Sequence, residues 1–464
     1  MKKSLLWIVV LVLSISMVAA FSFAGCKAAA AEEEVVEEKA AEEEVVEEKA
    51  AEEVAAEEVA ETGKLTVSLI AGFPENTGFK DLASEFEEQY GIEVTFIETG
   101  YGDILGKNLI DLSAQTGAYD VLHVESLWFP QYLAYLYPID QFMDNPELFD
   151  EASYDLEDFT SYTPLTLSVF TREGQLYGLP HLAGVPLNWY RTDLLEAAGL
   201  EPPTNMDEYY AAAKELTQDT DGDGTIDVYG VALSASRSGM VDEWLSFFFS
   251  YGGALPETPE EYTLESLDNP TALKALKLYK SLYDEAAPPE SMSWEFGEVG
   301  SAMQRGVVAM MWNWSNGGSW YDDPETSEVV GLVRANAPWP GRFGVNGMCI
   351  PKDSKNKEEA FKFINWATSK DITRRVTLAG GSTPCRLSVL TDPELTADRW
   401  WFQPLVDASK TARMYLEIPE WSAVDDAIAI EFQKVLIDEL TPEKALTNAS
   451  NNVYDILQKA GYIE

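Results

Sequence analysis

The sequence predicts an α/β protein of two lobes, and three observations carry that expectation. A chain of 464 residues is too long for one ordinary hydrophobic core, while 46% apolar and 12% aromatic content makes most of it globular. From Lys64 onward, short apolar strand-like runs alternate with amphipathic helical stretches, the pattern of a doubly wound parallel sheet. Near Gly178-Leu179-Pro180-His181 that pattern resets, and the remainder of the chain is long enough to build its own core.

The elements run in order from the amino terminus. Met1-Lys2-Lys3 and the apolar run from Leu5 to Ala20 read as a secretory signal, with small residues just before Cys26. Residues 28 to 62 carry the block Ala31 to Ala40 repeated at Ala41 to Ala50. Too acidic to fold, they read as a tether reaching roughly 50 Å if helical. The body opens with a strand at Lys64 to Ile70, a loop at Ala71 to Thr77 and a helix at Gly78 to Tyr90. A strand Ile92 to Glu98, a helix Asp103 to Thr116 and a strand Ala118 to Val124 continue the alternation. Ligands of such sheets sit beyond the carboxyl ends of the strands, here Gly72 to Thr77, Tyr101, and Glu125 to Trp128. In the second unit Val185 to Tyr190 is a strand, and Gly306 to Met311 leads a buried strand into Trp312-Asn313-Trp314. Gly347 to Pro351 is a strand, Lys357 to Ser369 a helix, and the chain from Ser422 onward is helical. Beyond the signal, no apolar run is long enough to span a bilayer.

The formal charge is −47, and 15 of the 79 acidic residues precede residue 63. So acidic a surface repels nucleic acid and anionic lipid, and both are excluded as partners. Three cysteines cannot make a disulfide framework. Cys349 and Cys385 can pair or remain buried thiols, and the sequence leaves both open.

Two stretches carry chemistry. Trp312-Asn313-Trp314 interleaves broad apolar faces with an amide that both donates and accepts, a combination suited to sugars. The alternative is an aromatic cap on the core. Asp219, Asp221, Asp223 and Asp227 stand at positions one, three, five and nine of a calcium-type loop, with Gly224 at six and the Thr225 carbonyl at seven. Position twelve is Gly230 rather than glutamate, so the loop is either a structural Ca²⁺ site or a metal-free acidic turn. No other cofactor is required.

Phe23-Ala24-Gly25-Cys26 resembles a bacterial lipobox, which implies cleavage before Cys26 and lipidation of its thiol. The body, from about Lys64 to Glu464, resembles the family 1 extracellular solute-binding proteins of ABC importers, the group that includes maltose-binding proteins. The resemblance rests on the order of several segments: Tyr119-Asp120-Val121 before Glu125; Leu179-Pro180 before Tyr190-Arg191-Thr192-Asp193-Leu194-Leu195; and Ala197-Ala198-Gly199-Leu200-Glu201-Pro202-Pro203. Gly306 to Met310, Ala360 to Trp366 and Gly380-Gly381-Ser382-Thr383-Pro384 continue it. It implies an α/β, two-lobe periplasmic-binding-protein fold, closing by a hinge over an interlobe ligand cleft. Segments then swap between lobes: about 63 to 180 with 344 to 385 in one, and 181 to 343 with 386 to 464 in the other. The expected protein is an exported, lipid-anchored monomer that hands a carbohydrate to an importer's permease subunits.

The resemblance also implies site residues. Glu125 stands where a carboxylate accepts hydrogen bonds from sugar hydroxyls. Asp120 either joins it or orients the loop. Tyr101 and Trp128 occupy neighbouring strand-end loops, and Glu75 and Asn76 the loop after the first strand. His181 falls at the expected lobe crossing, Asn346 in the glycine-punctuated loop from Pro338 to Gly347, and Trp421 before the last helices. Arg386 can fork onto vicinal hydroxyls, pair with Glu125 or make an interlobe salt bridge. Trp244 sits in an apolar helix where core packing competes with binding. With Trp312, Asn313 and Trp314 these complete the candidate ligand set. A hydrolase would need a second carboxylate partnered with Glu125, and no residue stands out for it; a surface scaffold is the remaining alternative.

Overall fold

The computed structural model describes residues 63–381 and 383–464. The signal segment, Cys26 and the tether lie outside the described residues.

The first strand, β1 (Gly63–Ile70), buries Leu65, Val67, Leu69 and Ile70 and pairs in parallel with β2 (Ile92–Thr99) and β3 (Val121–Glu125). The helix between β1 and β2, Glu75–Tyr90, starts three residues before the apolar periodicity placed it. Glu75 and Asn76 therefore stand in its first turn rather than in a loop. Gly91 ends it with φ 68°, a left-handed conformation that glycine adopts without cost, and its N–H donates to the Glu87 carbonyl. The helix Tyr101–Ala114 follows β2 directly.

The short strands β4 (Leu136–Tyr137), β5 (Thr171–Arg172) and β6 (Gln175–Leu176) precede β7 (Gly178–Gly184), the last strand of the first lobe before the crossing. Val185 alone joins it to β8 (Pro186–Arg191) in a second sheet, which also holds β9 (Tyr229–Ala232), β10 (Val308–Trp314) and β11 (Val333–Asn336). The chain returns to the first sheet through β12 (Gly344–Pro351). That sheet runs β2-β1-β3-β12-β4, with β7 also on β12. β12 is antiparallel to β3, β4 and β7, so the sheet is mixed rather than purely parallel as the alternation suggested. The second sheet, ordered β11-β8-β10-β9, is also mixed: β8 is antiparallel to β10 and β11, and β9 is parallel to β10.

Two apolar clusters result. One surrounds the first sheet and reaches one face of the second through Trp189, Met311 and Val333. The other lies on the opposite face around Met310 and Trp312, filled by Trp244, Phe247, Phe432 and the helices Trp421–Leu436 and Pro442–Ala460. Among the described residues no helix is long and apolar enough to cross a membrane.

Candidate functional site

The carboxyl ends of β2 and β3, the crossing before β12 and the start of a second-lobe helix meet at one arginine. Arg342 is 4% exposed, and its Nη1 donates to Glu125 Oε1 at 2.9 Å. On its other side Nε lies 3.2 Å from Asp242 Oδ1, in the first turn of the helix Met240–Ser250. The same carboxylate oxygen accepts the Tyr415 hydroxyl. The guanidinium centre is 4.6 Å from the Trp314 ring centroid and 5.5 Å from that of Tyr415, so the cation is walled by aromatic faces. Burial works against its charge, but Asp242 and Glu125 outweigh burial and hold it firmly protonated.

Glu125 is held on three sides. Besides Arg342 it accepts the Ser126 hydroxyl at 2.8 Å and the Leu127 N–H at 3.0 Å, which fixes the loop after β3. Tyr101 and Trp128 lie 4.7 Å apart beside it. Tyr101 is 49% exposed, and desolvation of its hydroxyl, then the Glu125 charge, raises that group above its ordinary range. Across from it Asp425 is raised well above the carboxylate range, by burial and then by Asp242, against the pull of the Arg342 charge. Carboxylates, one guanidinium and four aromatic rings thus gather around the ends of β3 and β10. Such a set offers directional acceptors, a donor and stacking surfaces.

Beneath Glu125 lies a second polar layer. Asn346 is the cross-strand partner of Glu125, and its Oδ1 is 2.9 Å from His123 Nε2. The Ile70 N–H donates to His123 Nδ1 at 3.4 Å, and the His181 ring stands edge-on to His123 at 4.4 Å. Glu75 accepts the Thr383 N–H at 3.2 Å, and Asn76 Nδ2 donates to the Ile70 carbonyl and to Glu98, both at 2.8 Å.

The remaining candidates fall elsewhere. Asp120 is at the amino end of β3, where it accepts from Thr66 N–H, Ser354 and Asn356; it ties strand starts together at the end of β3 opposite Glu125. Arg386 is fully buried, pairs with Asp158 at 3.4 Å and donates to the carbonyls of Thr368 and Asp155. It meets neither Glu125 nor solvent. Trp244 is fully buried, stacked on Phe248 and edge-on to Phe432, the core role that its apolar helix favours. β10 continues through Asn313 to Trp314, so Trp312 and Trp314 share a face of the strand and differ in burial. Trp312 is fully buried against Trp339 at 5.2 Å, whereas Trp314 is partly exposed and covers Arg342. Asn313 spends its amide on the Phe296 carbonyl and the Trp314 N–H. Trp421 is buried against Tyr415 at 4.8 Å, one ring removed from Arg342. The glycines of the crossing serve these rings: a Cβ at Gly344 would lie 2.7 Å from Trp314 Cζ3.

In the acidic loop Asp219, Asp221 and Asp227 bring one carboxylate oxygen each within 4.8 Å of one another, and all three are exposed. All four acids accept loop N–H groups, Asp219 from Gly222 and Gly224, Asp221 from Asp223, Asp227 from Thr220 and Asp223 from Thr225, and Asp223 stands outside the converging trio. Cys349 and Cys385 are buried free thiols.

Sequence reasoning missed Arg342, Asp242, Tyr415, Asp425 and His123. Arg342 left a faint signal, being a cation set directly after Pro338-Trp339-Pro340-Gly341, where backbone geometry drew the attention. Asp242 looked like a mere flank of Trp244.

This geometry agrees with the comparisons. The model of the bacterial extracellular solute-binding proteins matches residues 71–373, and the chain belongs to that family. A probable amino-acid ABC transporter periplasmic-binding protein of Sinorhizobium fredii is 25% identical over 394 residues, 82% of this chain and 87% of the relative. A ribitol-bound solute-binding protein of an ABC transporter from Agrobacterium radiobacter K84 is 28% identical with a TM-score of 0.74, covering 85% of this chain and 98% of that one. A tagatose-bound counterpart from Thermotoga lettingae is 26% identical with a TM-score of 0.72, covering 85% and 100%. The fold is that of the two-lobe periplasmic binding proteins.

Proposed function

We propose that the chain captures a carbohydrate, either a sugar, an oligosaccharide or a polyol, between its lobes and presents it to an ABC importer without chemical turnover. One observation carries this: Glu125, Arg342 and Asp242, from three separate segments, converge between aromatic faces at the carboxyl ends of the strands. Hydroxyl-rich solutes match that mixture of acceptors, donor and rings. The ribitol- and tagatose-bound relatives support the same class. A thermal-shift screen against sugars, polyols and amino acids tests it, because a solute that binds only the folded state raises the melting temperature. Stabilisation by a sugar or polyol is expected; stabilisation by amino acids alone, or turnover of a labelled oligosaccharide above stoichiometry, would overturn it.

In this reading the protein is exported, anchored through a lipid on Cys26, and monomeric. Mass spectrometry of the mature N-terminus and sedimentation check those points. The loop from Asp219 to Asp227 takes Ca²⁺ as a structural ion, supported by the three converging carboxylates. Equilibrium dialysis with radiolabelled calcium is the check, and no uptake at millimolar calcium would remove the ion from the account.

A further inference from the structure

The chain has two histidines, they meet beside the first sheet, and one of them has no hydrogen-bond partner among the described residues. His123 is fully engaged: it accepts at Nδ1 from Ile70, so Nε2 carries the proton and donates to Asn346. His181 is 4% exposed, and among the described residues neither of its ring nitrogens has a hydrogen-bond partner. Phe79 covers its other side at 5.8 Å.

Its placement ties it to the cleft. The register between β7 and β12 shifts between Asn346 and Gly347, opposite His181, and such a bulge re-aims a side chain. His123 and Glu125, two apart on β3, project from the same sheet face, and His181 touches His123 on that face. Asn76, three residues before Phe79 on the neighbouring helix, also leaves its amide oxygen without a partner.

An unpaired buried imidazole is costly, and a leucine of similar size would fill the space without that cost. A neutral imidazole offers one donor and one acceptor. Hydroxyl groups, which donate and accept at once, match both. A carboxylate or phosphate only accepts and would require the imidazolium, which burial and then the neighbouring His123 oppose, holding the His181 pKa well below its ordinary value.

We propose that His181 is a specificity-determining ligand contact whose neutral imidazole binds hydroxyls of the solute, so that the cleft selects neutral polyhydroxylated solutes over their anionic counterparts. This rests on the carbohydrate reading above. The test uses the body of the protein, the neutral sugar or polyol that stabilises it most, and the acid of the same carbon skeleton. Calorimetry should show the acid bound at least about tenfold more weakly than the neutral solute. His181→Leu should lose about tenfold in affinity for the neutral solute, while its ligand-free melting temperature stays level or rises; His181→Gln, which keeps a donor and an acceptor, should retain most of the affinity. A purely structural histidine, or one satisfied by a buried water, predicts the reverse for His181→Leu: lower melting temperature and unchanged affinity. That outcome, or equal affinity for the acid, would overturn the proposal. If His181→Leu does not fold, His181→Met takes its place under the same criteria. If no carbohydrate binds the unsubstituted protein, the parent reading fails and this inference falls with it; if one binds and His181→Leu binds it equally well, only the inference fails.

Discussion

The two polar layers of the cleft are built on opposite principles. Around Arg342 the guanidinium meets the carboxylates of Glu125 and Asp242 and is enclosed by Trp314 and Tyr415. Around His181 the contacting rings and amides of His123, Asn346 and Asn76 are uncharged, and among the described residues both ring nitrogens of His181 and the amide oxygen of Asn76 have no hydrogen-bond partner. Removing one partner of a buried ion pair strands the other charge, whereas an unpaired neutral group already carries its desolvation cost in the folded protein. Substitution should therefore destabilise the first layer and not the second, and that asymmetry is the quantity to measure.

The largest effect is expected at Arg342. Arg342→Met fills much of the same volume but leaves Glu125 and Asp242 facing each other without a cation. Loss of about 3–5 kcal/mol of stability should follow, read from urea denaturation, together with loss of measurable solute binding. If Arg342→Met is as stable as the unsubstituted protein, the charge pairing around it contributes nothing and the contrast between the layers collapses. Glu125→Gln should cost less, about 1–3 kcal/mol, because its one retained oxygen can still accept from Ser126 and Arg342, which share Oε1, while the Leu127 N–H on Oε2 loses its acceptor.

The next comparison separates the two tryptophans of β10. Trp312→Ala opens a cavity against Trp339 and should cost about 3–5 kcal/mol in stability. Trp314 is partly exposed over Arg342, so Trp314→Ala should cost less stability but about tenfold in affinity. Equal affinity losses for both would mean that the strand end is not divided between core and cleft.

How much of this was legible in the sequence depends on range. β1 to β3, and the position of Glu125 at a strand end, depend on local periodicity and were readable. So were Tyr101 and Trp128, a few residues past strand ends. The partnership of Glu125 with Arg342 joins residues 217 apart and depends on how β12 pairs with β3, which no local pattern encodes. Arg386 is a long-range case too: an arginine is normally exposed, and only the fold reveals Asp158, Tyr154 and Phe159 around it. The core role of Trp244, by contrast, was readable from its apolar helix. Asp120 stands before the amino end of β3 at Val121, opposite Glu125, and there it holds the Thr66 N–H, Ser354 and Asn356, a set of partners that only the fold assembles.

The smallest effect sharpens the contrast through pH. Glu243, one residue from Asp242, turns into the core, accepts from Ser234 N–H and Tyr279, and is lifted by burial to about 8 from 4.5. The folded chain then holds a proton that the unfolded chain releases, so this residue makes stability fall as pH rises from about 4.5 to about 8, by at most about 1.4 kcal/mol per unit. Asp425 acts in the same direction. The histidine layer has the opposite sign: burial lowers His123 to about 4 from 6.5, so its contribution is present above pH 6.5 and is lost as pH falls towards 4. Glu243→Gln should thus stabilise the protein increasingly from about pH 5 to pH 8 and expose a steeper acid limb, which His181→Leu would in turn flatten. Urea midpoints across about pH 5–9 measure both slopes; profiles that stay parallel to the unsubstituted protein would show that neither buried group titrates differently on folding.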